Sequence, residues 1–190
     1  MLENISNITC TFCDAIFEMR PNLRFCKGLS LKAVTAEYKG FPMQPIPDNI
    51  AAFLTQNHVV SIAAAADGAI WSACCFYVFD AERAALVVLT SLKTRHGSLM
   101  AANPNVAGTI AGQPGSIAKI SGIQFAARAA LLEEETERRR AQSLFYHAHP
   151  AARALKSDVW LLRLDTVKFT DNKLVFAQKT LWQRNGAEAA

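Results

Sequence analysis

The chain has no apolar run approaching the roughly 18 residues that a membrane-spanning helix requires. Its longest, Val59 to Ala66, has the length of a strand. Charge of one sign is equally scarce, since 20 basic and 16 acidic side chains leave a net charge of +4 over 190 residues. With no basic face interleaved with aromatics, a nucleic-acid arm and a small barrel for single strands are both disfavoured. The N-terminus lacks the basic-then-apolar order of a secretory signal and carries Glu3 early, which predicts a cytoplasmic protein. Five cysteines are an odd number, and the adjacent Cys74 and Cys75 would project to opposite faces of a strand, so reduced thiols are expected. Neither has a basic sequence neighbour to lower a thiol pKa, and inert packing is the expectation for both.

The usual catalytic signatures are also missing. There is no Gly-x-Ser-x-Gly elbow, no Walker loop, no Gly-x-Gly-x-x-Gly and no His-Glu-x-x-His. Cys10-x-x-Cys13 with Cys26 offers three thiols where a structural zinc site wants four ligands, and residues 1–47 hold no His or fourth Cys. His147-x-His149, at i,i+2 beside Pro150, reads as solvent-facing, and His58, heading an apolar strand, reads as structural. No metal site is predicted.

What the chain does have is apolar weight. With 51% hydrophobic and 19% charged residues, it suits one packed domain with apolar surface left over for self-association. Residues 1–47 are poorly patterned and close on an extended Gly40 to Pro47 linker; they read as an N-terminal extension, with Met43 as an alternative translation start. Residues 48–184 form the predicted domain and 185–190 a flexible tail. A helix from an Asp48 N-cap to about Asn57 buries Ile50, Phe53 and Leu54. Strands follow at Val59–Ala66 and Ala69–Phe79, joined by an Asp67-Gly68 hairpin turn. In the second, Trp71, Cys75, Tyr77 and Phe79 share one face and Ser72, Cys74 and Phe76 the other.

The chain is organised around Ala84 to Gly112. A strand over Ala85–Leu89 breaks at Thr90-Ser91 and runs through Lys93-Thr94-Arg95-His96 into a helix expected to bury Leu92, Leu99 and Met100. Asn103-Pro104 stops it, and Val106–Ala111 is the next strand. Hydroxyl, guanidinium and imidazole donors thus gather where a helix N-terminus offers free N–H groups, the makings of an anion or phosphate site. A plain solvated basic helix start is the competing reading of the same residues. Further on, a strand from Ile117 to about Leu132, helices at Glu133–His149 and Ala151–Leu155, a strand at Asp158–Phe169, a turn at Asp171-Asn172 and a strand at Leu174–Ala177 complete the pattern. The fold class is mainly β with short helices (α+β), an antiparallel barrel closed or half closed.

Read whole, Leu89-Thr-Ser-Leu-Lys-Thr-Arg-His-Gly-Ser-Leu-Met-Ala-Ala-Asn-Pro104 resembles the flavin-binding signature of the pyridoxamine 5′-phosphate oxidase-like split barrels. The resemblance extends through Val106 to Pro114, Ile120 to Phe125, Pro150 to Arg153 and Lys168 to Arg184, where it is similar to the YhbP-like proteins. It implies a Greek-key split barrel that binds FMN at the interface of a homodimer. Thr90, Lys93, Thr94, Arg95 and His96 would gather at the phosphate, with His96 standing where the superfamily often has lysine. Ser72, Ala73, Cys74 and Cys75 would lie along the isoalloxazine and ribityl chain through backbone contacts, and Gln113, Gln124 or Trp182 would reach the flavin of the other subunit. The Arg and His pattern of true pyridoxamine phosphate oxidases near the C-terminus is absent, so that substrate is disfavoured. The implied activity is a flavin-dependent oxidoreductase acting on a small molecule, and the alternative is a non-catalytic flavin, haem or tetrapyrrole carrier on the same fold.

Overall fold

Alternation of apolar residues in runs too short for buried helices makes strands of this chain wherever turn residues bound them. The computed structural model describes residues 43–154, 156–172 and 178–186, with all of their side chains except those of Ile117 and Gln178. Expectations for residues 1–42, for Leu174–Ala177 and for residues 187–190 lie outside them. The strands are β1 (Val59–Ala66), β2 (Ala69–Asp80), β3 (Ala85–Leu89), β4 (Asn105–Ala111), β5 (Ser121–Leu131), β6 (Val159–Asp171) and β7 (Gln178–Gln183). Their order is β3-β2-β1-β4-β5-β6-β7, and a further β3–β6 pairing closes six of them into a barrel. Every pairing is antiparallel. The β1–β2 turn has the positive φ values at Asp67 (50°) and Gly68 (77°) that a two-residue hairpin of this twist demands.

Alternate residues of each strand fill the barrel. Trp160, Tyr77, Ile62, Leu86, Ile123, Leu162 and Leu164 are fully buried there. A Cβ on Gly108 would lie 2.3 Å from the Phe125 ring, so that ring has its place because β4 carries no side chain opposite it. Helix α1 (Asp48–Gln56) buries Ile50, Phe53 and Leu54 and is tied to the barrel by the Tyr77 hydroxyl, which donates to the Leu54 carbonyl at 2.8 Å. Helix α2 (Arg95–Ala102) packs on β1, β2 and β5. Helix α3 (Glu135–Ala148) covers the outward side of β3, β6 and the Tyr77–Asp80 end of β2, and Val87, Val159, Ala141 and Phe145 form a second apolar cluster beneath it, with Val78 of β2 packed against them. That cover explains why Ala85 to Val88 are buried on both faces. Arg140 of α3 reaches the buried Asp80 at 2.5 Å and Glu82 at 2.6 Å.

The outward side chains of β1, β4, β5 and the Ser72–Phe76 part of β2 stay largely exposed among the described residues. Across these strands run the register-matched rows Cys74, Ser61, Thr109, Gln124 and Ser72, Ala63, Ala107, Ala126, with Phe76 (58% exposed) and Val59 (43%) at one end. This face is small-residue and weakly polar, and it holds no charged side chain in either row.

Several expectations need correction. Asp48 is the first helical residue and makes no capping bond, because the extended Pro47 takes the N-cap position. Leu92 lies in the turn before α2 and is 38% exposed, so only Leu99 and Met100 face inward. The strand expected from Ile117 starts at Ser121, after one turn of 3-10 helix over Ile117–Lys119. The body also begins earlier than residue 48. Met43 and Ile46 pack against the core, the Gln44 N–H donates to the Arg184 carbonyl at 2.9 Å, and the Trp182 indole donates to the Gln44 carbonyl at 3.1 Å. The extended Met43–Pro47 stretch is held against the end of β7 rather than spanning as a free linker.

Candidate functional site

The turn that leaves β3 is fixed from three sides. The Thr90 N–H donates to the Asp158 carbonyl at 3.1 Å, the Trp160 indole donates to the Thr90 carbonyl at 3.1 Å, and the Leu92 N–H donates to Asp158 Oδ2 at 2.7 Å. Thr94 then caps α2. Its hydroxyl donates to the Ser91 carbonyl at 2.7 Å and accepts from the Gly97 N–H at 3.1 Å, which is the preferred N-cap geometry for Thr. Gly97 is required by space. A Cβ there would meet the Ser91 carbonyl oxygen at 2.3 Å and the Thr94 hydroxyl at 2.9 Å.

His96 is half-buried, with Nε2 2.6 Å from Thr90 Oγ1, 3.3 Å from Thr94 Oγ1 and 3.9 Å from Cys75 Sγ. Burial lowers its pKa below the ordinary value, so the ring is neutral at pH 7 and contributes hydrogen bonding rather than charge. The Cys75 thiol is pushed up, first by burial and then by neighbouring Cys74, and stays protonated. Arg95 is exposed, and its guanidinium lies 4.4 Å over the Trp71 ring, an arrangement that orients the cation while leaving its N–H edge available. No carboxylate pairs with Arg95 among the described residues. As first residues of the helix, Arg95 and His96 also present backbone N–H groups that find no acceptor among the described residues.

Beside this helix start the sheet is open. β3 pairs with β2 only over Tyr77–Asp80, whereas β1 pairs with it from Ala69 to Phe76. The other edge of Ala69–Phe76 therefore carries no strand among the described residues, and half of its N–H and C=O groups face outward. Ser72, Ala73, Cys74 and Cys75 lie on this open edge. The structure thus brings together Thr90, Thr94, Arg95, His96 and the Ser72–Cys75 backbone, and it adds Trp71, whose part would be visible in sequence only to a reader pairing an exposed strand aromatic with a helix-start arginine.

The remaining expected residues lie elsewhere. Lys93 lines a separate cavity of about 570 Å³ with Tyr146, Arg153 and Lys156. Gln113 lies on the loop after β4, beside Phe53, Asn57 and Lys119. Gln124 is on the exposed outer face, in the row that contains Cys74. Trp182 is 4% exposed and packs in the core of its own chain, with its indole N–H on the Gln44 carbonyl, rather than on an outer face. His58 and His149 stand with ring centroids 6.2 Å apart near exposed Phe76. Among the described residues no group of three His, Cys, Asp or Glu could hold a metal ion, and no helix is long and apolar enough to cross a membrane.

A scan against protein-family models matched none. A UPF0306 protein of Haemophilus ducreyi is 47% identical over 144 residues, 75% of this chain and 99% of the relative. The UPF0306 protein YhbP of Escherichia coli is 43% identical over 142 residues, 74% of this chain and 96% of the relative. The chain belongs to the UPF0306 (YhbP) family. Among solved structures, a haem-binding protein from Mycobacterium smegmatis matches with TM-score 0.57 and 19% identity, over 70% of this chain and 56% of that one. ChuZ of Campylobacter jejuni matches with TM-score 0.60 and 15% identity, over 71% and 58%. A FAD-binding protein from Mesorhizobium loti matches with TM-score 0.53 and 15% identity, over 66% and 94%. At such identities these likenesses speak for the fold alone, and that fold is the pyridoxamine 5′-phosphate oxidase-like split barrel. The YhbP family member described here therefore carries its helix-start donors and open strand edge on a split barrel.

Proposed function

We propose that this chain binds FMN and acts as a flavin-dependent oxidoreductase on a small molecule. One observation carries the reading: a set of hydrogen-bond donors suited to a phosphate, the Arg95 guanidinium with the N–H groups of Arg95 and His96, stands beside a strand edge that no other strand pairs among the described residues. Arg95 and the helix N–H groups would take the phosphate, with Thr90, Thr94 and His96 holding the turn in place. The free backbone groups of Ser72–Cys75 suit the polar rim of a flat ring system, which needs alternating donors and acceptors along one line. Bound there, the flavin would supply hydride chemistry. No side chain in the cluster is tuned as an acid or base: His96 is held neutral and Cys75 protonated, so these residues orient and bind.

The open edge in a single copy, next to an exposed outer face of small residues, supports a homodimer in which the second copy covers the ring. Gln124 and Cys74 are the outer-face residues that would meet it, and Gln113, on the loop after β4, would reach it from farther away. The FAD-binding neighbour is in keeping with a flavin at this site, and the haem-binding neighbour, with the imidazoles of His58 and His149 near Phe76, supports a tetrapyrrole carrier as the second reading.

Titration of the purified chain with FMN and with riboflavin, read by flavin fluorescence, separates these. Saturable binding that favours FMN supports the first reading. A chain indifferent to FMN that gains a Soret band with haem supports the second, and a chain indifferent to both removes both. Turnover with NADH or NADPH and an electron acceptor distinguishes enzyme from carrier, and sedimentation velocity tests the dimer.

A further inference from the structure

Lys93 belongs by sequence to the helix-start cluster, yet its side chain lines a cavity walled by α3 and the segment before β6. Arg153 and Lys156 line the same cavity, which brings together three cations from two separate stretches of chain. None of the three forms an ion pair among the described residues. The single carboxylate in the lining, Asp158, already accepts the Leu92 N–H through Oδ2 at 2.7 Å. The three cations are exposed to solvent, and even with Asp158 beside them the lining carries a net positive charge that favours an anionic ligand.

The cavity's other features limit the class of anion. Half-buried Tyr146 contributes a phenol ring to the same lining. A neighbouring cavity of about 470 Å³ shares Gln142, Ser157 and Asp158 with the first and adds the apolar Leu131, Leu132 and Val159 together with Glu133 and Arg138, which bring one charge of each sign. Each volume lies within the range of small-molecule sites, about 300–1,000 Å³. A bare inorganic anion would leave the apolar wall unused, and a neutral apolar molecule would leave the cations unpaired.

We propose that this groove is a second binding site, for an organic phosphate monoester, in which Lys93, Arg153 and Lys156 hold the phosphate and an aromatic or apolar body lies against Tyr146 and the Leu131–Leu132 wall. It is independent of the flavin reading, since Arg95, His96 and the edge of β2 take no part in it.

Isothermal titration of the full chain with phenyl phosphate, with and without FMN present, tests the proposal. Phenyl phosphate binds saturably and more tightly than inorganic phosphate, while phenol does not bind. Arg153→Ala and Lys156→Ala each weaken phenyl phosphate roughly five- to tenfold, as expected for loss of one charge-assisted contact, and raising salt weakens it further. Lys93→Ala does the same while leaving FMN affinity unchanged. Arg95→Ala leaves phenyl phosphate binding intact, which keeps this result separate from any failure of the flavin reading. All three lysine and arginine positions lie outside the core, and unchanged thermal unfolding confirms that the variants fold. Absence of saturable binding, affinity in Arg153→Ala and Lys156→Ala unchanged from that of the unaltered chain, or loss of binding in Arg95→Ala would each overturn the proposal.

Discussion

Two groups of residues share the turn between Thr90 and Gly97, and they behave in opposite ways. Thr90, Thr94, His96 and Gly97 are turned in on one another and on Ser91, through both threonine hydroxyls, the His96 Nε2 and the Gly97 N–H. Lys93 and Arg95 project away from that knot, one toward α3 and one over Trp71, with no carboxylate partner among the described residues. A single short motif thus contains a framework and a set of free charges. Changing the first should damage the fold, and changing the second should damage binding alone.

Gly97→Ala is the sharpest way to break the framework. Its methyl would collide with the backbone oxygen of Ser91 rather than with a movable side chain, and a stability loss of about 3 kcal/mol is expected from overpacking. Thermal unfolding measures it; an unchanged Tm would show that the turn yields. Thr94→Ala should cost about 1 kcal/mol through loss of the N-cap, read by chemical denaturation, and Thr94→Ser should restore most of it. Trp71→Leu probes the free charges. It should leave unfolding nearly unchanged and weaken FMN by about 0.5–1 kcal/mol, because Arg95 loses the ring that orients it.

The smallest effect is a pH dependence. Burial depresses the His96 pKa in the folded state, so its contribution to stability is fully present above the unfolded value of about 6.5 and is lost as pH falls below it, where the unfolded chain takes up the proton first. A His96→Gln variant should therefore show a flatter loss of stability between neutral and mildly acid pH. An identical slope in both proteins would contradict the assignment of a buried, neutral ring.

Much of the barrel was legible because period-two alternation and turn residues are local signals. Asp67-Gly68 marked its hairpin, and Trp160, Leu162, Leu164 and Val167 marked the inner face of β6. The extent of α3 was legible as well, although Glu134 caps it through bonds to the Thr136 and Glu137 N–H groups while Glu135 pairs with Arg138 and Arg139. What stayed hidden was long-range. Docking of Met43–Pro47 against β7 depends on Arg184 and Trp182, far along the chain, and the open edge of β2 depends on β3 pairing with only its last four residues. The site was half legible. Adjacent letters in Lys93-Thr94-Arg95-His96 give no hint that Lys93 faces one cavity, His96 the interior and Arg95 an indole, since a tight turn sends consecutive side chains in different directions.

The central claim is that Arg95 grips a phosphate, and the ratio of FMN to riboflavin affinity tests it most directly, because the two ligands differ only in that group. In the unaltered chain FMN should bind much more tightly. In Arg95→Ala, FMN should lose about 2 kcal/mol while riboflavin is unaffected, so that the ratio collapses. A ratio that survives the substitution, or that is near one from the start, would place the phosphate elsewhere and contradict the account.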